Sequence, residues 1–149
     1  MPKIFTCRFI IPPDANDANG HVNNIAYVHW MQDVAIRHSD AQGCTDNRYQ
    51  QLGSSWVVRS HLIEYLRPAF AGEEIEIQTW VCNMKRTRSL RRYRFMRCAD
   101  QTLLARAETD WVYIDTVTGK PKKIDSVVSN AFDLVTPEEE SCWDRGEEA

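Results

Sequence analysis

The segment at residues 25–36 constrains the fold most strongly, because nine of its twelve residues are apolar. Asn23 or Asn24 can cap a helix that starts here, and the apolar pattern breaks near residues 40–43. We therefore expect a helix of about 16 to 18 residues. A helix that is apolar on nearly every side is expected to be buried on nearly every side. Other parts of the chain must wrap around it.

Several segments have the composition of β-strands and can supply that wrapping. Residues 74–81 alternate strictly between two faces, which is the pattern of a half-buried strand. A first strand is expected at residues 3–11, because Pro12 and Pro13 end it. β-branched and aromatic residues predict further strands at residues 56–66, 89–97 and 103–115. We expect an α+β domain in which a curved antiparallel sheet wraps around one long apolar helix.

The C-terminal end is predicted to begin a short helix at Pro137. Thr136 and Glu139 have the spacing of a capping box around a proline at the first helical position. The charge is also uneven here, since residues 138–149 hold six acidic residues and one basic residue. We therefore divide the chain into a domain at residues 1–137 and an acidic C-terminal tail at residues 138–149.

Composition narrows the class of protein. The chain has 149 residues, of which 43% are hydrophobic, enough for one buried core and too few for two ordinary domains. A formal net charge of −3 argues against a globally basic nucleic-acid binder and against a strongly acidic disordered chain. The apolar runs are shorter than the roughly 20 residues that a membrane span needs, and residues 1–8 lack a signal-peptide core. We expect a soluble, cytoplasmic protein.

Neither the cysteines nor the histidines have the spacing of a metal site. The cysteines are odd in number and include no CxxC pair, so they are interpreted as reduced, mostly structural thiols. They are Cys7, Cys44, Cys82, Cys98 and Cys142. No metal and no cofactor is indicated by the sequence.

A dense polar segment at residues 14–21, the polar loop, lies between the first strand and the long helix. Its Asp and Asn side chains can hydrogen-bond nearby backbone, so we expect a structured loop. The loop brings the Asp17 carboxylate and the His21 imidazole to a helix start, where free N–H groups favour an anion. This combination suits acyl transfer. Asp17 can attack a thioester carbonyl or activate a water, while helix-start N–H groups hold the developing oxyanion.

The run Asp-x-Asn-x-His-Val-Asn-Asn at residues 17–24, followed by Tyr27 and Trp30, resembles the hot-dog-fold acyl thioesterases. It is most similar to the 4-hydroxybenzoyl-CoA thioesterase-like branch and to the plant acyl-carrier-protein thioesterases. Residues 63–69 and 72–75 also resemble the strand-turn-strand of that family. The resemblance covers most of the chain and implies a hot-dog fold, a curved antiparallel sheet wrapped around one helix.

The resemblance implies roles for four residues near the helix start. Asp17 falls where the hydroxybenzoyl-CoA enzymes keep their catalytic carboxylate, and Asn24 falls where they use a backbone amide to polarise the thioester carbonyl. Asn19 and His21 fall where the plant enzymes place an amide and a histidine that take part in catalysis. The plant enzymes also have an acidic residue and a cysteine after the next strand. This chain departs from that pattern with proline and alanine at residues 68–69.

Simpler roles stay open for the same residues. Asp17 and Asn19 could be turn residues that hydrogen-bond their own backbone, which is the commonest use of these side chains in loops. His21 could be a neutral loop histidine. Asn23 is better explained as a helix cap than as a reactant. In the catalytic interpretation the loop side chains face a ligand, whereas in these simpler roles they only contact the backbone.

A second candidate binding feature is a cluster of basic residues, because seven of the thirteen residues at 85–97 are Lys or Arg. The two-residue period of a strand places four of them on one face. These four are Arg86, Arg88, Arg92 and Arg94. The planar arginine fork suits the phosphates of CoA or the acidic surface of a carrier protein. Alternatively, this is a solvated sheet face paired with Glu74 and Glu76 of the neighbouring strand.

We therefore expect a thioesterase that hydrolyses an acyl-CoA or acyl-carrier-protein thioester to the free acid and thiol. Asp17 is its nucleophile or general base, the Asn24 N–H donates to the oxyanion, and Asn19 and His21 position water or substrate. The resemblance implies a homodimer or homotetramer. No nucleic acid and no membrane span are expected. Two alternatives stay open, namely a hot-dog hydratase or dehydratase and a non-catalytic module that binds acyl-CoA or a protein.

Overall fold

The computed structural model describes residues 3–141. Its helices include α1 (Asn24–Ala41), α2 (Asp46–Leu52) and α3 (Ser126–Ser129), and a further helical segment begins at residue 137. Its strands are β1 (Phe5–Ile10), β2 (Ser54–Tyr65), β3 (Glu74–Val81), β4 (Arg88–Arg97) and β5 (Thr102–Asp115). One strand, a long helix and four further strands follow one another as the sequence predicts. Within the described residues, no helix is both long and apolar enough to cross a membrane.

The five strands form one antiparallel sheet in the order β1-β3-β4-β5-β2, so that β1 and β2 are its edges. The register shifts between Val58 and Ser60 in β2 and between Phe95 and Met96 in β4. Such bulges bend a strand and increase its twist. Alternate side chains of each strand face α1, and we call this the inner face of the sheet. The opposite side is the outer face.

α1 is the long helix that the sequence predicts, and it has 18 residues. Asn23 is its cap, because the Asn23 Oδ1 accepts the Ile25 N–H at 2.8 Å. One side of α1 packs against the inner face of the sheet, where its side chains join those of β3 and β4 in the main hydrophobic core. The buried residues of α1 are Tyr27, Met31, Val34, Ala35 and His38.

The expectation that α1 is buried on nearly every side is wrong for the single chain. Ile25 is 64% exposed and Ile36 is 54% exposed. The reason is geometric, since one sheet covers only the side of the helix that faces it. Apolar side chains on the outward side of α1 therefore meet solvent in an isolated chain, and burying them would be favourable.

A second buried cluster joins the strands to segments that the sequence patterns do not predict. Cys44 precedes α2, Val128 belongs to α3, and both pack in one cluster with Tyr113 of β5. Phe132 closes the same cluster after α3. The Phe132 ring also lies edge-on to His38 of α1, with 5.2 Å between ring centroids, so this cluster borders the C-terminal half of α1.

The predicted C-terminal helix is confirmed as far as the structure describes it. The Glu139 N–H donates to Thr136 Oγ1 and the Thr136 N–H donates to Glu139 Oε1, both at 3.3 Å, which is a capping box. Glu140 binds Arg92 at 2.7 Å and so attaches this segment to the outer face. Residues 142–149, which form most of the predicted acidic tail, lie outside the described residues.

Candidate active site

Backbone hydrogen bonds give the polar loop a fixed shape. An antiparallel bridge joins Asn16 to Val22, and the Asp17 N–H donates to the His21 carbonyl at 2.8 Å. The Gly20 N–H donates to the Asp17 carbonyl at 3.1 Å and closes the turn. Gly20 has a φ of +87°, a conformation that other residues adopt with strain. The loop is the structured element that its Asp, Asn and Gly content predicts.

The polar loop is also fixed to the turn that follows β2. The Val22 N–H donates to the Ala69 carbonyl at 2.8 Å. The Ala71 N–H donates to the Asn16 side chain at 3.0 Å, which connects the same two segments a second time. The loop is therefore held at both of its ends before α1 begins, so its side chains have a defined position relative to the helix start.

Asp17 and His21 meet on this loop, with Asp17 Oδ2 lying 3.9 Å from His21 Nδ1. The other oxygen, Oδ1, accepts the Asn19 N–H at 2.8 Å. One carboxylate oxygen thus makes the turn contact of the simpler interpretation, while the second faces the imidazole. The Asp17 side chain is 29% exposed and that of His21 is 44% exposed. A ligand or a water molecule can reach both groups.

The start of α1 provides a hydrogen-bond donor that the fold leaves unused. The first N–H groups of a helix have no acceptor within the helix. Asn23 takes up the N–H of Ile25, whereas the N–H of Asn24 has no acceptor among residues 3–141. An N–H at the positive end of an 18-residue helix is well suited to an oxyanion. The Asn24 side chain itself is exposed.

Two aromatic residues beside this helix start were not singled out from the sequence. The Tyr65 hydroxyl donates to the Asn24 carbonyl at 3.4 Å. The Phe70 ring lies edge-on to His21, with 6.4 Å between ring centroids. The alternation of β2 was an available signal for Tyr65, since it places this residue on the inner face with Ile63. Phe70 lies in a turn, where no periodicity predicts its position.

The structure does not bring the four predicted arginines together with the polar loop within one chain. Arg88, Arg92 and Arg94 lie on the outer face of β4, as the strand period predicts. Arg86 lies in the exposed connection before β4. The polar loop leads instead into α1 on the inner side of the sheet. The sheet therefore separates the two groups of residues in a single subunit.

Within residues 3–141, acidic residues form ion pairs with Arg88 and Arg92. Glu76, one of the partners expected from the sequence, binds Arg8 at 2.7 Å instead. Partly exposed ion pairs of this kind contribute little to stability, so they agree with a solvated sheet face. The role of these arginines in phosphate binding stays a prediction. The ion pairs are Arg88–Asp110, Arg92–Glu108 at 3.2 Å and Arg92–Glu140 at 2.7 Å.

Thiols and potential metal ligands form no cluster in the part of the chain that the structure describes. No group of three or more His, Cys, Asp or Glu side chains is placed there to hold a metal ion. Cys142 lies outside the described residues. The four cysteines inside them are free thiols, namely Cys7, Cys44, Cys82 and Cys98.

A cavity of about 510 Å³ lies away from the polar loop, beside the C-terminal half of α1. This volume is within the range of small-molecule sites. Its walls come from α1, α2 and the inner faces of β2, β4 and β5, and they include Trp56, Trp111 and Phe132. Arg91 of β4 lies in the same wall. The polar loop and this cavity are thus two separate features at opposite ends of α1.

Comparison with protein families gives one assignment for the chain. Residues 11–132 match the model of the thioesterase-like superfamily. This match includes the polar loop, α1 and all strands except β1. No curated protein matches the chain significantly.

Three solved structures illustrate the similarity of the fold. A 1,4-dihydroxy-2-naphthoyl-CoA thioesterase from Synechocystis has a TM-score of 0.79 and 17% identity, covering 86% of this chain and 94% of that one. A hypothetical protein from Staphylococcus aureus in complex with CoA has a TM-score of 0.82 and 17% identity, covering 92% and 91%. An acyl-ACP thioesterase from Bacteroides thetaiotaomicron has a TM-score of 0.76 and 26% identity, covering 91% of this chain and 56% of that one.

These similarities extend over the sheet and α1 together, so they concern the whole described fold and not a shared motif alone. The hot-dog resemblance that the run at residues 17–24 suggests is confirmed by the family match and by the solved structures. The chain therefore belongs to the thioesterase-like superfamily, and it has the hot-dog fold.

Proposed function

We propose that the protein is an acyl thioesterase that hydrolyses an acyl-CoA or acyl-carrier-protein thioester to the free acid and thiol. Two observations on one loop and the helix that follows it carry this proposal, namely a reachable Asp17 carboxylate and an unused N–H at the start of α1. The Synechocystis and Bacteroides structures are those of thioesterases, and the Staphylococcus structure contains CoA. They support the same class of substrate.

In the proposed reaction Asp17 acts as nucleophile or as general base. As a nucleophile, its free oxygen attacks the thioester carbonyl, the thiolate leaves, and water then hydrolyses the resulting anhydride to regenerate the carboxylate. As a general base, it takes a proton from the water that attacks the same carbonyl. Both routes place negative charge on the carbonyl oxygen, which the Asn24 N–H and the helix dipole stabilise. The thiolate is a good leaving group.

The other loop residues have supporting roles. His21 lies within 3.9 Å of Asp17 and orients either the carboxylate or the attacking water. Asn19 donates its own N–H to Asp17, which fixes the carboxylate, and its exposed side chain is free to position substrate. This division leaves one oxygen of Asp17 for the turn and the other for the reaction.

The phosphates of CoA or an acidic carrier protein are proposed to bind Arg86, Arg88, Arg92 and Arg94. Arg86 is exposed. Arg88 and Arg92 are in partly exposed ion pairs that a phosphate can replace at small cost. Because the sheet separates these residues from Asp17 of the same chain, their use at the reacting site would require a second subunit. We therefore also propose a homodimer or homotetramer, located in the cytoplasm.

The test of the proposed activity is a thiol-release assay with aryl, short-chain and long-chain acyl-CoAs and with an acyl-carrier-protein. We expect release of free thiol from at least one class of substrate. CoA binding without thiol release from any substrate would contradict the proposal and favour a binding module. Loss of enoyl-CoA absorbance without thiol release would instead identify a hydratase.

A further inference from the structure

Arg91 of β4 lies on the inner face of the sheet, and it is almost completely buried, with 5% exposure. Its register partners place it in the middle of the sheet, opposite Val81 of β3 and Thr109 of β5. It also lines the 510 Å³ cavity at the C-terminal half of α1. A buried arginine in a cavity wall is unusual, because a charged side chain is seldom fully buried without a charged partner.

The guanidinium uses only one of its nitrogens within the fold. Its Nη1 contacts His38 Nδ1 and donates to Thr79 Oγ1, both at 3.0 Å. Burial and the nearby Arg91 charge lower the pKa of His38 to about 3, so His38 is neutral and its Nδ1 accepts the hydrogen bond. The Phe132 ring lies 5.9 Å from the guanidinium carbon.

No carboxylate among residues 3–141 forms a salt bridge with Arg91. Asp40 and Asp46 also line the cavity, but both are exposed and neither is within salt-bridge distance of the guanidinium. Nε and Nη2 have no acceptor in the described chain, and both nitrogens keep some solvent-accessible surface. These two N–H groups form one edge of the guanidinium, the edge that binds a carboxylate through two parallel hydrogen bonds.

The cavity around this free edge is mostly apolar. Its lining includes Trp56, Val58, Met84, Trp111 and Phe132. Such a cavity suits a hydrocarbon or aromatic group, while Arg91, the one positively charged side chain among its described lining residues, suits an anionic end of that group. The exposed Asp40 and Asp46 oppose a highly charged ligand such as a pyrophosphate at this place. One carboxylate at the end of an apolar group matches both requirements.

We propose that this cavity binds an apolar molecule that ends in a carboxylate and that Arg91 recognises the carboxylate there. The site is separate from the polar loop, because the helix between Asn24 and His38 is about 21 Å long. The inference therefore goes beyond the proposed thioesterase function. Nε and Nη2 bind the two carboxylate oxygens, and His38 and Thr79 hold the guanidinium in place through Nη1. Arg91 is thus a binding residue of this second site and takes no part in bond breaking.

The first test measures binding alone and does not depend on catalysis. Octanoate and its neutral analogue octanamide are titrated against the full chain by calorimetry, with Trp56 and Trp111 fluorescence as a second readout. We expect octanoate to bind at least about 10-fold more tightly, as hydrogen bonds to a charged group predict. Arg91→Met should abolish this preference. Arg59→Met, which removes an exposed arginine of β2, should retain it.

Equal affinity for octanoate and octanamide in the wild-type protein would overturn the inference. So would a preference for octanoate that survives in Arg91→Met. If Arg91→Met does not fold, Arg91→Lys decides, because it keeps the charge but loses the planar fork. We expect Arg91→Lys to show a reduced preference, and an unreduced one would also overturn the inference.

The second test shows where the carboxylate binds. Asn24→Pro removes the unused N–H at the start of α1 and leaves the cavity intact. We expect this variant to bind octanoate as tightly as the wild type, because the helix start lies about 21 Å from His38. Weaker binding in Asn24→Pro would place the carboxylate at the helix start and overturn the inference. Neither outcome depends on whether the protein hydrolyses thioesters.

Discussion

Asp17 shows at the residue scale how a turn residue can also be a reactive one. Its Oδ1 accepts the Asn19 N–H while its Oδ2 faces His21, so the two interpretations that the sequence leaves open use different atoms. The turn contacts and the Asn23 cap could be predicted, because they depend on local spacing. The unused N–H of Asn24 could not, since a missing acceptor depends on everything packed around the helix start.

The Asn24 N–H can be removed without changing the fold. Proline is favoured at the first position of a helix, and the preceding Asn23 already has an extended backbone with ψ of 137°. We expect Asn24→Pro to retain the wild-type Tm and to reduce kcat about 10²–10³-fold, as the loss of one oxyanion donor does. Thermal unfolding and thiol release measure the two effects.

Asn24→Ala is the matched control, because it removes the exposed side chain and keeps the N–H. We expect its kcat to be close to that of the wild type. If Asn24→Ala lost as much activity as Asn24→Pro, the side chain would be the important group and the oxyanion role of the backbone would be wrong.

At the scale of single elements, the strands were predictable, and the short helices α2 and α3 were not. β3 was predicted with its observed bounds, because its strict alternation reflects one face on the core and one face outward. α2 has no buried residue and hence no apolar periodicity, although Thr45 caps it and Gly53 ends it in a left-handed conformation. The burial of Arg91 was also unpredictable, since strand alternation fixes its side of the sheet but charge argues against burial.

The polar contact between α1 and β4 predicts a specific dependence of stability on pH. The pKa of His38 is about 3 in the folded protein, against about 6.5 for an unperturbed histidine. Below pH 6.5 the unfolded chain therefore binds a proton that the folded protein does not. This histidine lowers the free energy of unfolding by up to ~1.4 kcal/mol per pH unit as pH falls from about 6.5 towards 3.

His38→Gln isolates this contribution, because glutamine can still accept a hydrogen bond from Arg91 and does not titrate. Urea unfolding at pH 7.5 and at pH 5 is the measurement. We expect the wild type to lose more stability than the variant across this interval. An equal loss of unfolding free energy in both proteins would show that burial does not lower the pKa of His38, and it would contradict the prediction.

At the scale of the whole molecule, one sheet leaves apolar surface uncovered. Ile25 and Ile36 on α1 and Leu62 on the edge strand β2 are each more than half exposed. The sequence predicts the helix and its apolar content correctly, but it does not show which side stays open. That depends on the order of the strands, β1-β3-β4-β5-β2, which local patterns do not encode.

The exposed apolar surface agrees with the proposed assembly. We expect light scattering during size-exclusion chromatography to give a mass of two or four times the 17.3 kDa of the chain. Replacing Ile36 or Leu62 by Lys at such an interface should shift the mass towards that of one chain. A wild-type mass of one chain at micromolar concentration would contradict the proposed homodimer or homotetramer.

The most direct test of the account is the activity of Asp17→Asn. Asparagine keeps the oxygen that accepts the Asn19 N–H, so the turn is retained, but it removes the charge that attacks the thioester or activates water. On the best acyl-CoA of the substrate panel, we expect kcat to fall about 10²–10⁴-fold, or further if Asp17 is the nucleophile. Asp14→Asn, at an exposed position of the same loop, should be unaffected. An unchanged rate for correctly folded Asp17→Asn would contradict the account.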